Sequence, residues 1–219
     1  MTAHAQHPAL WTRNGALWRA LDRPLLERRV QELANALLEL GVAPGDVVAL
    51  DHATSSEALT VAVAALEVGA TVRLGPAQAP FAAALAAEPA RAAELASLAG
   101  IDQVAVPTAT EADGGRSLER LAAHGVLHAA LQPEALATRT AAERGDAATV
   151  IGSDGSAFPL AALQAAMASL QAVGDLLRPD EPLLIAVPLD QPWLLALALG
   201  ALGARRDDHA GADRLGVIQ

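Results

Sequence analysis

The 219-residue chain contains no cysteine, no lysine and no tyrosine, and aromatic residues make up only 2% of it. Each absence removes a class of chemistry. Without cysteine there are no disulfides, no thiolate metal sites and no cysteine nucleophile, while the redox compartment stays undetermined. Without lysine there is no Schiff-base chemistry, and no lysine can sit on a nucleotide phosphate as in a P-loop. All 15 basic residues are arginine, and against 25 Asp and Glu they leave a formal charge of -10. A chain with a pI near 4.9 is a poor partner for a phosphate backbone, so no nucleic acid is expected. Long apolar runs are missing as well. The most apolar windows, Ala58 to Val72 and Trp193 to Ala204, fall short of the roughly 20 residues that span a bilayer. Met1 to Pro8 has no apolar h-region. No membrane association and a cytoplasmic, soluble protein are the expectation.

What is present is apolar and small: 53% hydrophobic residues, with alanine close to a quarter of the chain. A chain of this length fits one compact domain that could bury roughly 70% of its unfolded surface. From Leu26 the apolar positions Leu26, Val30, Leu33, Leu37 and Leu40 alternate steps of four and three, which is one face of an amphipathic helix. Gly41 can end that helix, and Pro44-Gly45 suits the centre of a type II turn. A strand over Val47 to Asp51 follows. Ser55 or Ser56 can cap the next helix, which is apolar nearly all round, reaches Glu67 and stops at Gly69. Thr71 to Leu74 then reads as a second strand, so a complete βαβ unit fits in this segment.

Pro80 to Gly100 is alanine-rich and reads as helix, kinked or divided at Pro89. Ile101 to Val106 is a third strand candidate, Thr108 to Gly115 an exposed loop, and Leu118 to Ala123 a short helix; Val126 to Arg144 shows no clean period. Order returns with a strand at Ala148 to Gly152, a small turn Ser153-Asp154-Gly155-Ser156, and a helix from about Leu160 to Leu177. A turn at Arg178 to Glu181, a strand at Leu183 to Pro188 and an apolar helix at Gln191 to Leu202 complete the pattern. The expected fold is α/β, a mainly parallel sheet flanked by helices on both faces. It forms a single domain over 1–204, with 205–219 a charged tail or edge strand.

Among chemical candidates, the segment Val150 to Ser156 stands first. A strand running into a small polar turn and then a helix can aim backbone N–H groups and hydroxyls at an anion. Ser, Asp and Gly are also what any tight connection of this kind requires. It is not a nucleophile elbow, because Ile151 stands where glycine is needed. His124 and His128 have an i, i+4 spacing, but Gly125 lies between them and no glutamate completes a metal motif. Asp207, Asp208, His209 and Asp213 read as a solvated tail. His52 follows the first strand, where α/β ligands gather, yet it stands alone. Trp11, Trp18 and Trp193 read as packing residues.

Three stretches carry a resemblance: Val30-Gln31-Glu32-Leu33-Ala34-Asn35-Ala36-Leu37, then Leu40-Gly41-Val42-Ala43-Pro44-Gly45-Asp46-Val47, then Leu66-Glu67-Val68-Gly69-Ala70. They resemble the N-terminal part of the adenylate-forming (AMP-binding, acyl-CoA synthetase-like) superfamily. Asp146 to Ala204 is similar to its later part, and the narrower likeness is to short bacterial proteins of unassigned function related to that superfamily. The resemblance implies that the phosphate loop, which ends in Pro-Lys-Gly in the family, falls on Gly152 to Ala161. Gly152, Ser153, Ser156 and Pro159 keep family residue types, while Asp154 replaces glycine, Leu160 the lysine and Ala161 the last glycine. Ser153, Gly155 and Ser156 are thus the residues of a degenerate nucleotide loop.

Family members continue beyond this length with adenine contacts, a magnesium-binding glutamate and a catalytic lysine. The resemblance therefore implies a catalytically degenerate protein that acts by binding or partner contact and is not an adenylating enzyme. It requires no cofactor, with AMP as the candidate ligand and no metal. The alternatives are a binding module for AMP or an acyl group, and one subunit of a split enzyme completed in trans. A homodimer or another protein partner would cover the surface that a neighbouring subdomain once covered.

Overall fold

The computed structural model describes residues 10–14, 17–51, 56–78, 80–99, 104–106, 116–137, 148–174, 190–193, 195–196 and 198–199. Two short strands, β1 (Leu10–Asn14) and β2 (Leu17–Leu21), pair antiparallel as a hairpin of their own, with Leu10 opposite Leu21. α1 (Arg23–Glu39) follows, with Pro24 in its first turn and Asp22 as N-cap; the Asp22 carboxylate accepts from the Leu25 N–H at 2.8 Å. The cap starts the helix three residues before the apolar period begins. Gly41 at φ 81° closes it. The Pro44-Gly45 turn forms as its residues dictate, since the Asp46 N–H donates to the Ala43 carbonyl at 3.0 Å and Gly45 takes φ 87°.

The main sheet is built from β3 (Val47–Asp51), β4 (Thr71–Leu74), β5 (Ala83–Ala86), β6 (Val104–Val106), β7 (Arg116–Ser117), β8 (Thr149–Ile151) and β9 (Ala157–Pro159). Its strand order is β7-β6-β5-β3-β4-β8-β9, and every pairing is parallel except the last. α2 (Ser56–Glu67) links β3 to β4, and α3 (Pro89–Ala99) links β5 to β6. α4 (Leu118–Leu131) follows β7, and α5 (Leu160–Gly174) follows β9.

Successive side chains of the central strands enter two different cores. Val48 and Leu50 of β3, Val72 and Leu74 of β4 and Leu85 of β5 pack under α1, α2 and α4. Ala49, Ala84 and Ala86 face the other way, onto Ala92 and Leu95 of α3. Both sides of the sheet are thus covered, which is why these strands read as unbroken apolar runs and why α2 is buried nearly all round. The α/β sheet with helices on both faces is as expected.

Two elements depart from the sequence reading. Ala83–Ala86 is a buried strand beside β3, where a helix was expected, and Pro89 opens α3. Alanine favours helix when isolated, but a central parallel strand sandwiched between two helical layers needs small side chains on at least one face. The proline divides the segment by starting an element, because its missing N–H is no loss in a first turn. The second departure is β9, which intervenes between the Ser153–Ser156 turn and the helix. α4 also runs to Leu131, well past Ala123. The expected loop at Thr108–Gly115, strand at Leu183–Pro188, turn at Arg178–Glu181 and tail at 205–219 lie outside the described residues. Of the expected Gln191–Leu202 helix, residues 192–193, 195–196 and 198–199 are helical.

Candidate functional site

Parallel strands deliver their carboxyl ends to one edge of the sheet, and two polar centres form there. The first lies at the end of β3. Here α2 leaves on one face of the sheet, while α3, which follows the neighbouring β5, packs on the other; ligands of open α/β sheets gather at such a reversal. Asp51 is only 1% exposed. Its Oδ1 accepts from the Ala77 N–H at 2.6 Å, and its Oδ2 accepts from Arg91 Nε at 2.8 Å. Arg91 also reaches Glu94 at 2.8 Å and the Ala77 carbonyl at 3.3 Å. Asp51 foremost, then Glu94, raise the guanidinium pKa further above its ordinary value. With both oxygens bonded this way, Asp51 ties the end of β3 to the following loop and to α3. It is a clasp within the fold, and unpairing it would leave a buried charge. Sequence reading missed it because its partners lie 26 and 40 residues away. The available signal was a carboxylate closing an otherwise apolar strand.

The second centre is the loop after β8. Gly155 at φ 80° donates its N–H to the Gly152 carbonyl at 3.0 Å, and the Gly152 N–H donates to the Ser156 carbonyl at 2.8 Å. Asp154 turns inward over this hairpin. Its Oδ1 accepts from the Ser156 N–H at 2.9 Å and from Ser156 Oγ–H at 2.6 Å. The hydroxyl first and the amide second hold the Asp154 carboxyl below its ordinary pKa. Ser153 is engaged by a different segment: its N–H donates to the Asp190 carbonyl at 2.8 Å, and its Oγ accepts from Gln191 Nε2 at 3.1 Å.

Space around the loop is equally committed. A Cβ on Gly75, just past β4, would stand 2.6 Å from the Ser153 Cβ. One on Gly152 would meet Asp154 Oδ1 and Pro192 Cδ at 2.8 Å each. The structure therefore brings Ser153, Gly155 and Ser156 together as read from the sequence, but with their three backbone N–H groups and the Ser156 hydroxyl already donated inside the chain.

The helix N-terminus expected behind this turn is not there. Because β9 runs back antiparallel to β8, with Ile151 opposite Ala157 and Thr149 opposite Pro159, α5 starts beside Ala148, at the far end of the strand. Leu160, in the position that the resemblance gives to lysine, is buried in the core at that end. Phe158 is 36% exposed and does not plug the loop.

The remaining candidates separate. His124 pairs with Glu39 at 3.3 Å on the outside of the helical layer, and no group of three or more metal-binding side chains exists among the described residues. Trp193 is 58% exposed, contrary to the packing role expected of it: the helical stretch buries Leu195, Ala196, Ala198 and Leu199 instead. His52 and the cluster at Asp207 to Asp213 lie outside the described residues, as do the side chains of Trp11 and Trp18. An apolar cavity of about 30 Å³ between the helical layer and the sheet, lined by Leu33, Leu37, Val61, Leu85 and Leu121, could hold no more than a methyl-sized group. No helix among the described residues is long and apolar enough to cross a membrane.

No protein-family model and no curated protein sequence matches this chain. Solved structures do. A point mutant of the amide bond synthetase McbA from Marinactinospora thermotolerans matches with a TM-score of 0.58 and 25% identity, over 89% of this chain and 40% of that one. ATP-bound MatB from Rhodopseudomonas palustris gives 0.59 at 19% identity, over 92% and 42%. The adenylation domain of a keto acid-selecting NRPS module, bound to keto acyl adenylate, gives 0.56 at 16% identity, over 89% and 38%.

The fold is that of adenylate-forming enzymes. The chain spans only about two-fifths of the length of these structures. On this adenylate-forming fold, the residues of the β8–β9 loop do not fit a nucleotide phosphate. Its amide and hydroxyl donors at Ser156 are held by a carboxylate of the chain itself, and a second anion brought to them would be repelled.

Proposed function

We propose that this chain is a catalytically degenerate relative of adenylate-forming enzymes, acting by contact with a partner and not by making acyl adenylates. The observation that carries this reading is Asp154, whose carboxylate sits on both the N–H and the Oγ–H of Ser156. Adenylation has to offset negative charge developing on a transferring phosphoryl group. Here a fixed negative charge stands in the loop, leucine stands at position 160, and the 219 residues contain no lysine. AMP is the ligand to test, because two of the matching structures were solved with ATP or an acyl adenylate bound.

The test has two arms. Substrate-dependent release of pyrophosphate from ATP with magnesium, assayed over a panel of carboxylic acids, is expected to stay at background, and release above background would overturn the proposal. In thermal-shift measurements AMP and inorganic phosphate are expected to leave the native chain unmoved. Asp154→Gly, which frees the Ser156 donors, is expected to gain a phosphate-dependent shift. An AMP shift in the native chain that disappears in Ser153→Ala would favour the small-molecule binding module instead.

A further inference from the structure

The two polar centres at the carboxyl edge of the sheet share one short piece of backbone, residues 75–77. At one end Ala77 is gripped twice: its N–H donates to Asp51 Oδ1 at 2.6 Å, and its carbonyl accepts from Arg91 Nη2 at 3.3 Å. At the other end Gly75, at φ 86°, lies directly on Ser153, with no room for a side chain between the two main chains. Only Pro76 separates these ends, and its ring fixes φ near about -65°. Arg73 steadies the same turn by donating from Nη1 to the Gln78 carbonyl at 2.7 Å. Beyond Ser153 the contacts continue. Its N–H and Oγ hold Asp190 and Gln191, and Pro192 packs against Gly152. The chain then enters the helical stretch that buries Leu195 and Leu199 in the core under α1, α2 and α4, whereas α3, which carries Arg91, packs in the core on the opposite face.

We propose that this edge is a conformational link between the two faces of the sheet: the Asp51–Arg91 clasp seats residues 75–77, these seat Ser153, and Ser153 holds the strap at 190–192, so that loosening either end loosens the other. The physical reason lies in the contact at Gly75. Two main chains that touch directly have no flexible side chain between them to absorb a displacement, and close-packed groups move together. Arg91 itself bonds to Asp51, Glu94 and Ala77, not to the strap. Its influence on Ser153 therefore passes through residues 75–77. The strap leads straight into Trp193, which is 58% exposed. Whatever draws Arg91 away from Asp51 on one face thus changes how that indole is held on the other. The link goes beyond the loss of adenylation and does not depend on it, and its test needs no nucleotide.

A double-mutant cycle reads the link. Independent substitutions without a shared partner multiply in the folding equilibrium constant to within about 2-fold. Urea denaturation of the native chain, Arg91→Ala, Gln191→Ala and the double variant is expected to depart from this. The double variant should lose less than the product of the single losses, by a factor of about 5 or more, because a strap already loosened by Arg91→Ala leaves little for Gln191→Ala to undo. Gln191→Ala combined with Asp22→Ala, at the cap of α1, should multiply simply. Amide cross-peaks in heteronuclear NMR spectra locate the effect: the Ser153 peak should move in Arg91→Ala, and the Ala77 peak in Gln191→Ala. Simple multiplication for Arg91 and Gln191 overturns the proposal. So does an Ala77 amide unmoved by Gln191→Ala, a measurement that stands even where Arg91→Ala fails to fold.

Discussion

Asp154 shows how one side chain can close a site without filling it. A carboxylate accepting from an N–H and an O–H two residues onward is a local, inexpensive arrangement. Here it uses the same donors that an external anion would need. Its depressed pKa gives the arrangement a pH signature. A carboxyl held below its ordinary value stabilises the fold above that value and loses the effect as pH falls through the folded-state pKa. Compared with Asp154→Asn, the native chain should therefore be the more stable at neutral pH. The gap should narrow only in acid, from about pH 4 downward, when both are followed by urea denaturation across the range. A gap that stays constant down to pH 2.5 or so would mean that the carboxylate's charge plays no part in the bonds to Ser156.

Elements differ in how plainly they announce themselves. α1, β3, α2 and β4 could be read almost residue by residue, because their apolar periods are clean and Gly41, Gly45 and Gly69, all at positive φ, punctuate them. β5 could not. Four residues of alanine and leucine carry no period, and only the neighbours on either side make them a strand. β9 is three exposed residues whose place is set by pairing with β8, so nothing local marks it. That short strand moved the start of α5 away from the loop and removed the dipole from the site read in the sequence. The clasp at Asp51 was hidden for the same reason, its partners being distant along the chain. Contact between helices was equally silent at Gly125, which read only as a flaw in a histidine pair. It is where α4 crosses α1 backbone to backbone, braced by Arg29–Glu119 at 3.5 Å and His124–Glu39 at 3.3 Å. Gly125→Ala adds a methyl group where none fits. Despite the better helix propensity of alanine, it should cost about 1 to 3 kcal/mol through overpacking, read as a lowered denaturation midpoint at unchanged slope. A neutral or stabilising result would show that the two helices can slide apart freely.

At the scale of the molecule, charge and fold pull against each other. A net charge of -10 on 219 residues, with a pI near 4.9, loads the compact state with self-repulsion at neutral pH. Shortening the Debye length from about 30 Å to about 8 Å, by raising the ionic strength from 0.01 to 0.15 M, should relieve it. If about 1 kcal/mol is recovered, the melting temperature should rise by roughly 2 to 4 °C, which calorimetry at the two salt concentrations can measure. A fall on adding salt would mean that the surface ion pairs outweigh the repulsion.

The hydrogen bond from the Ser153 N–H to the Asp190 carbonyl joins segments far apart along the chain. That amide belongs to the β8 loop, yet its protection from deuterium exchange depends on whether residues 190–192 are docked. The Gly152 N–H, bonded within its own hairpin, has no such dependence. The ratio of the two exchange rates is therefore a built-in gauge of how often the 190–192 segment lifts from the sheet while the hairpin beneath it stays formed.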